Sequence, residues 1–297
     1  MNLHTQLRLA LLFIGHLLLS GHLLSGHVAA QTPDWDDLGQ SGPYQVAYYS
    51  QLPPVPEFSA ATLYFPANKA QDFAGVVIAP GFIEKQINIQ WWGYHLASHG
   101  FAVLTLDTND VQETPPLRAA ALMAGVAMLK AENSRMGGML RGKILEDRMA
   151  LMGHSMGGGG TLLAANEYSE ALRAAIPFTP WLPNGDVSSV SVPTLVLAGE
   201  VDRIASNDQH AWPLYQGLTS AAPRMYLEVA GGNHFIANTL TDNEGLNPNI
   251  DVHDLLGGMA VAWLKLFLDG DESYRDLVFG DLPERDRERL SRWEFVE

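Results

Sequence analysis

Three observations predict an α/β protein with a mostly parallel, twisted central sheet and helices on both faces. Short continuous apolar runs at residues 75–80, 101–107 and 193–198 have the length and composition of strands covered on both sides. Segments with helical periodicity alternate with them, over about residues 89–99, 116–132 and 157–168, and that alternation is the mark of a parallel sheet wrapped in helices. Third, Gly153-His154-Ser155-Met156-Gly157 lies between the apolar run 149–152 and the helix-forming stretch 161–167. A G-x-S-x-G sequence carries chemistry only in such a strand-turn-helix setting, where a sharp turn lifts the serine hydroxyl out of the sheet. The elbow inside this sheet points to the α/β-hydrolase fold.

The first 30 residues carry Arg8 as their only charge, followed by a leucine-rich core interrupted by His16 and His22. With the small-residue site Val28-Ala29-Ala30 before Gln31, residues 1–30 are expected to be a signal peptide, a membrane anchor being the competing reading. A secreted protein, periplasmic or extracellular, is therefore expected, with no membrane anchor after cleavage. Residues 31–297 suit a single domain. The chain has a net charge of −15, which becomes −16 once Arg8 is removed, and only five lysines. Such a surface excludes nucleic acid and anionic membranes as natural partners. Cysteine is absent, so neither disulfides nor a thiolate nucleophile is available and stability must come from the core.

Along the domain, the aromatic-rich alternating segments 44–49 and 61–65 read as an antiparallel strand pair at a sheet edge. Residues 255–268 read as an amphipathic helix. The strongly charged stretch 281–292 reads as a solvated tail helix.

Ser155 needs a base to take its proton and an acid to orient that base, and in this fold they follow in the order Ser, Asp or Glu, His. Asp202 follows the strand ending at 198, where sites form in α/β sheets, with Glu200, Asp186 and Asp208 as nearby rivals. His234 follows the strand 225–229 on the loop Ala230-Gly231-Gly232-Asn233-His234. The developing oxyanion requires N–H donors, for which Met156 and Phe82 of Pro80-Gly81-Phe82 are the candidates. Trp181 sits after a strand and before the acid, placed to line the substrate cleft or to pack in the core. Trp91 and Trp92 read as packing residues. His95 and His99 have zinc-pair spacing but lack the intervening glutamate and a third ligand, so they read as helix histidines. Asp242-Asn243-Glu244-Gly245 with Asp251 and Asp254 does not match calcium-loop spacing and reads as a polar surface loop. No metal and no cofactor is expected.

Beyond these residues, the strings Gly42-Pro43-Tyr44, Trp91-Trp92-Gly93, Leu96-Ala97-Ser98-His99-Gly100-Phe101, Asp107-Thr108-Asn109, Pro180-Trp181 and the elbow itself resemble the bacterial cutinase-like polyester hydrolases, over roughly residues 40–275. The resemblance implies Ser155, Asp202 and His234 as nucleophile, acid and base. It also implies an oxyanion hole from Phe82 and Met156, and a substrate groove lined by Phe82, Trp181, His154, Phe235 and Ile236. Family members carry a disulfide near the C-terminus and some a second beside the site, where Gly199 and Ile236 stand here; the loop after His234 is longer, through about Asp254. The expected function is that of a secreted, monomeric serine ester hydrolase of cutinase type acting on esters or polyesters. The alternatives are a small-molecule carboxylesterase or lipase with incidental polyester activity, or a catalytically silent binding protein on the same fold.

Overall fold

A computed structural model describes residues 33–219, 221–239 and 252–297. The expected signal peptide and the acidic stretch 242–251 lie outside the described residues. A nine-stranded sheet runs through the described part in the order β1-β2-β4-β3-β5-β6-β7-β8-β9. The first pair, β1 (Val46–Tyr49) and β2 (Ala60–Pro66), is antiparallel, with β1 at the sheet edge. Then follow β3 (Phe73–Ala79), β4 (Ala102–Asp107), β5 (Ile144–His154), β6 (Ala174–Phe178), β7 (Thr194–Gly199) and β8 (Arg224–Val229), all mutually parallel where they pair.

The continuous apolar runs are explained by two separate cores. Val76 and Ile78 of β3, Leu195 and Leu197 of β7 and Leu227 of β8 pack on one face with Trp92, Leu96, Met259 and Trp263. Their strand neighbours Val77, Ala79, Val196, Ala198 and Tyr226 pack on the other face with Leu122, Leu129, Leu162 and Leu214. Because successive strand residues point to opposite sides, a strand covered on both must be apolar at every position. The first face is supplied by α2 (Gln90–Ser98) and α6 (His253–Leu264), and the second by α3 (Pro115–Ser134), α4 (Met156–Glu167) and α5 (Ala211–Gly217). A short α1 (Trp35–Leu38) precedes them. Helix α3 opens on Pro115-Pro116, whose fixed φ and missing N–H suit the first turn.

The tail departs from expectation. Instead of a solvated helix over 281–292, it forms only a single helical turn at Glu284–Arg287, followed by β9 (Leu290–Val296), which pairs antiparallel with β8. The physical reason is twofold. The outer side of β8 would otherwise be an open edge, and Trp293 and Phe295 beyond the charge run alternate with polar residues, packing toward Phe279 while Arg292 lies 4.2 Å from the Trp212 ring centroid. Nor is the turn wholly solvated: Asp286 is buried and accepts from the Trp35 indole at 2.8 Å.

Candidate active site

Ser155 occupies the one-residue turn between β5 and α4, with φ 52° and ψ −114°. A non-glycine residue at positive φ is held there only by its surroundings. Its N–H donates to the Phe178 carbonyl at 3.1 Å, while its own carbonyl accepts from Trp181 N–H at 2.8 Å and from Gly159 N–H at 2.9 Å. Close approach explains the glycine after it. A Cβ on Gly157 would lie 2.4 Å from the Ala79 carbonyl oxygen, so any side chain there would push α4 off the sheet.

The other two residues arrive from the ends of β7 and β8, the second and third strands beyond β5 in the sheet. Asp202 lies in the turn after β7, and its Oδ1 accepts from the backbone N–H groups of Ile204 and Ala205 at 2.9 and 2.8 Å. That leaves Oδ2 for His234, 2.7 Å from Nδ1. The loop after β8 lays the His234 ring back over the elbow, with Nε2 2.9 Å from Ser155 Oγ. Two of the rival acids are engaged elsewhere, Glu200 accepting from Gly231 N–H and Asp186 from Ser188, and the third, Asp208, is exposed.

Ser155, Asp202 and His234 are 5%, 6% and 4% exposed, so their mutual attractions act with little water between them. Burial depresses the His234 pKa below its ordinary value, and the facing His154 adds to this while the Asp202 hydrogen bond opposes it. For Asp202, burial alone would raise the pKa, but bonding and charge from His234 together with two backbone N–H donors bring it below the usual carboxylate range.

Phe82 and Met156 present backbone N–H groups that find no protein acceptor among the described residues. Phe82 is 44% exposed, and the exposed apolar residues Ile83, Val201 and Ile204 share the two loops that carry it and Asp202. Trp181 is half-buried, its ring 5.8 Å from that of His210, and half-buried Phe235 packs edge-on to His234 at 5.3 Å. His154 and Ile236 are buried at 1% and 3% exposure, His154 facing Glu84 and Ile236 joining the core. At Gly199, a Cβ would meet the carbonyl oxygens of Gly232 and Asn233 at 2.6 Å, so a cysteine there would have to displace the loop that carries His234.

Trp91 and Trp92, read as packing residues, also tie α2 to this loop, both indoles donating to the Ala237 carbonyl at 2.8 and 2.9 Å. His99 contacts the Gln40 carbonyl through Nε2 at 2.9 Å, and burial pushes His95 down to about 4. Asp254 pairs with Arg289. Among the described residues no cluster of three or more His, Asp or Glu could hold a metal ion. The sequence reading missed Glu84, Asn238 and Thr179, which lie behind the site. Only Glu84, an acid two residues beyond Phe82, gave any local signal.

The profile of the PETase family, described as PET hydrolase-like, matches residues 38–292. Cutinase 2 of Thermobifida cellulosilytica is 39% identical over 235 residues, covering 76% of this chain and 83% of that protein. The bis(hydroxyethyl) terephthalate hydrolase of Streptomyces coelicolor is 40% identical over 239 residues, covering 80% and 71%. By the extent of these matches and by its sheet, the chain belongs to the PET hydrolase-like family of carboxylic ester hydrolases.

Proposed function

We propose that this chain is a secreted serine hydrolase that cleaves carboxylic esters, aromatic polyesters among them, through an acyl-enzyme on Ser155. The observation that carries the reading is the unbroken hydrogen-bond line from Asp202 through His234 to the Ser155 hydroxyl, at 2.7 and 2.9 Å. His234 Nε2 takes the proton as Oγ attacks the ester carbonyl carbon, and the carbonyl oxygen becomes an oxyanion facing the N–H groups of Met156 and Phe82. Collapse breaks the bond to the alcohol oxygen, which receives the proton from His234. Water, deprotonated by the same imidazole, then attacks the acyl carbon; Oγ leaves, is reprotonated, and the acid is released. Asp202 stabilises the imidazolium formed in each half. Export rests on the leader-like residues 1–30; among the described residues no helix is long and apolar enough to cross a membrane.

Substrate class follows from the apolar rim and from the relatives named cutinase and bis(hydroxyethyl) terephthalate hydrolase. Hydrolysis rates on p-nitrophenyl esters, triglycerides, bis(hydroxyethyl) terephthalate and polyester film test it. Turnover of the terephthalate ester and the film supports the reading, and activity confined to triglycerides contradicts it.

Trp181→Ala is expected to lower turnover of the terephthalate ester about two- to tenfold more than that of a short aliphatic ester. An indole face stacking on an aromatic acyl group contributes roughly 0.5–1.5 kcal/mol beyond area burial, and the aliphatic chain gains only the burial. Equal losses on both, with a lower Tm, would instead make Trp181 a packing residue.

The pH dependence follows from the sign of the His234 shift. The base must be neutral, and burial lowers its pKa, so the neutral form persists below the ordinary histidine value of about 6.5. The acid limb of kcat/KM is therefore expected below pH 6.5. A midpoint above 7, or no fall down to about pH 4, would contradict this assignment.

A further inference from the structure

Behind the proposed oxyanion loop lies a buried pair that the reaction sequence above does not use. Glu84 is 7% exposed and His154 1%. Glu84 Oε2 lies 2.7 Å from His154 Nδ1 and accepts from Gly81 N–H at 2.6 Å, while Oε1 accepts from the Asn238 side-chain amide at 2.6 Å. His154 Nε2 lies 2.8 Å from the backbone carbonyl of His234, which also accepts from Thr179 Oγ1 at 2.9 Å. A carbonyl can only accept, so Nε2 carries a proton, and the proton between Nδ1 and the carboxylate makes that contact a charge-assisted bond. One carboxylate thus joins three pieces of chain: the loop 81–84, the residue before Ser155, and the loop that carries His234.

We propose that Glu84 is a positioning residue, which through Gly81 and His154 holds the Phe82 amide and the His234 loop in the arrangement that ester hydrolysis requires. The inference rests on the Ser155 reading above and extends it.

The loop needs such a restraint. Ile83, a β-branched residue, has φ 60°, a conformation that persists only where surrounding contacts over-determine it. Its N–H donates to the Val111 carbonyl at 2.9 Å. The Pro80–Gly81 peptide is gripped at both ends, its carbonyl accepting from Arg118 Nη1 at 2.8 Å and its N–H donating to Glu84. The next peptide bears the Phe82 N–H, and between the two stands Gly81, whose backbone is otherwise the most permissive in the loop. No side chain can replace that freedom with bulk, because a Cβ on Gly81 would lie 2.7 Å from Glu84 Oε2 and 3.0 Å from Ser155 Cβ. The carboxylate therefore fixes the peptide that precedes the oxyanion donor, and the Glu84 N–H, which donates to the Gly81 carbonyl at 3.3 Å, holds the peptide that bears it.

Three other charged or titratable groups face the pair: Arg118 from α3, His234 from the loop after β8, and Asp202 from the loop after β7. Burial opposes charge on both partners, but their mutual attraction prevails, holding Glu84 below the usual carboxylate range and His154 above the usual imidazole one. Between the two, the ionic form is the resting one.

The test is steady-state kinetics on a soluble short-chain ester for wild type, Glu84→Gln and Ser155→Ala, at a temperature well below each Tm. A neutral amide at 84 cannot accept from both Gly81 N–H and His154 Nδ1–H while an uncharged His154 still donates from Nε2 to the His234 carbonyl, so one arm of the clamp is lost. Misplacing a reacting group or an oxyanion donor costs up to about 100-fold. Glu84→Gln is expected to lower kcat, counted per folded chain, roughly 10- to 100-fold with KM changed less than about threefold; an unfolded fraction would lower the number of competent chains and leave kcat per folded chain at the wild-type value. If that variant does not fold, Glu84→Asp, which keeps the charge and shortens the reach, is expected to show the same split. A folded variant with kcat within twofold of wild type, beside an inactive Ser155→Ala, would overturn this inference alone; an active Ser155→Ala would overturn the nucleophile reading and this inference with it.

Discussion

Ser155→Ala is expected to lower kcat on a soluble short-chain ester by roughly 10⁴- to 10⁶-fold, about 5–8 kcal/mol of transition-state stabilisation. The hydroxyl oxygen is the atom that forms the covalent bond, and it is the group that His234 Nε2 faces at 2.9 Å. The loss is to appear in kcat rather than in KM, because the alanine retains the backbone that shapes the pocket. The fold is expected to survive. The positive φ at 155 is tolerated no worse by alanine than by serine, and the bonds that pin the turn to Phe178, Trp181 and Gly159 all run through the backbone. A purified, folded variant within a few fold of wild type would remove Ser155 from the mechanism.

Asp202→Asn is the second large effect, expected at about 10⁴-fold in kcat. The orientation of the new amide is decided by the neighbours. Oδ1 must go on accepting from the N–H groups of Ile204 and Ala205, since turning the NH2 toward them would set donor against donor in a buried turn. The NH2 therefore faces His234 Nδ1 in place of Oδ2. That nitrogen then has to accept, the ring proton moves to Nε2, and the imidazole presents N–H to a hydroxyl whose proton it is meant to take. Because the replacement is isosteric, Tm is expected to move by only a few degrees while kcat collapses. Activity within about tenfold of wild type would show that Asp202 does not set the tautomer.

The sheet was legible because the strands buried on both faces wrote themselves as continuous apolar runs, as β3, β4 and β7 do. The positions of Ser155, Asp202 and His234 were legible for a related reason. Each follows a recognisable strand, and residues at the carboxyl ends of neighbouring parallel strands converge. The tail differs from the expected helix because its charges suggest a solvated helix face, whereas what organises it is the edge of β8, which β9 covers, a feature of tertiary structure with no local trace. His154 gave no sign in the sequence of its partner, a carboxylate 70 residues away. Glu84 has meaning only through partners at 81, 154 and 238, a set that no spacing rule connects.

The central claim is that Ser155 is the nucleophile of this ester hydrolase, and covalent titration tests it most directly. Diethyl p-nitrophenyl phosphate transfers its phosphoryl group to an activated serine oxygen and releases p-nitrophenolate. The account predicts one diethylphosphoryl group per chain, found by peptide mass spectrometry on Ser155, with esterase activity lost in proportion to labelling. Full activity in the labelled protein, or inactivation with the phosphoryl group on another residue and Ser155 unmodified, would contradict it.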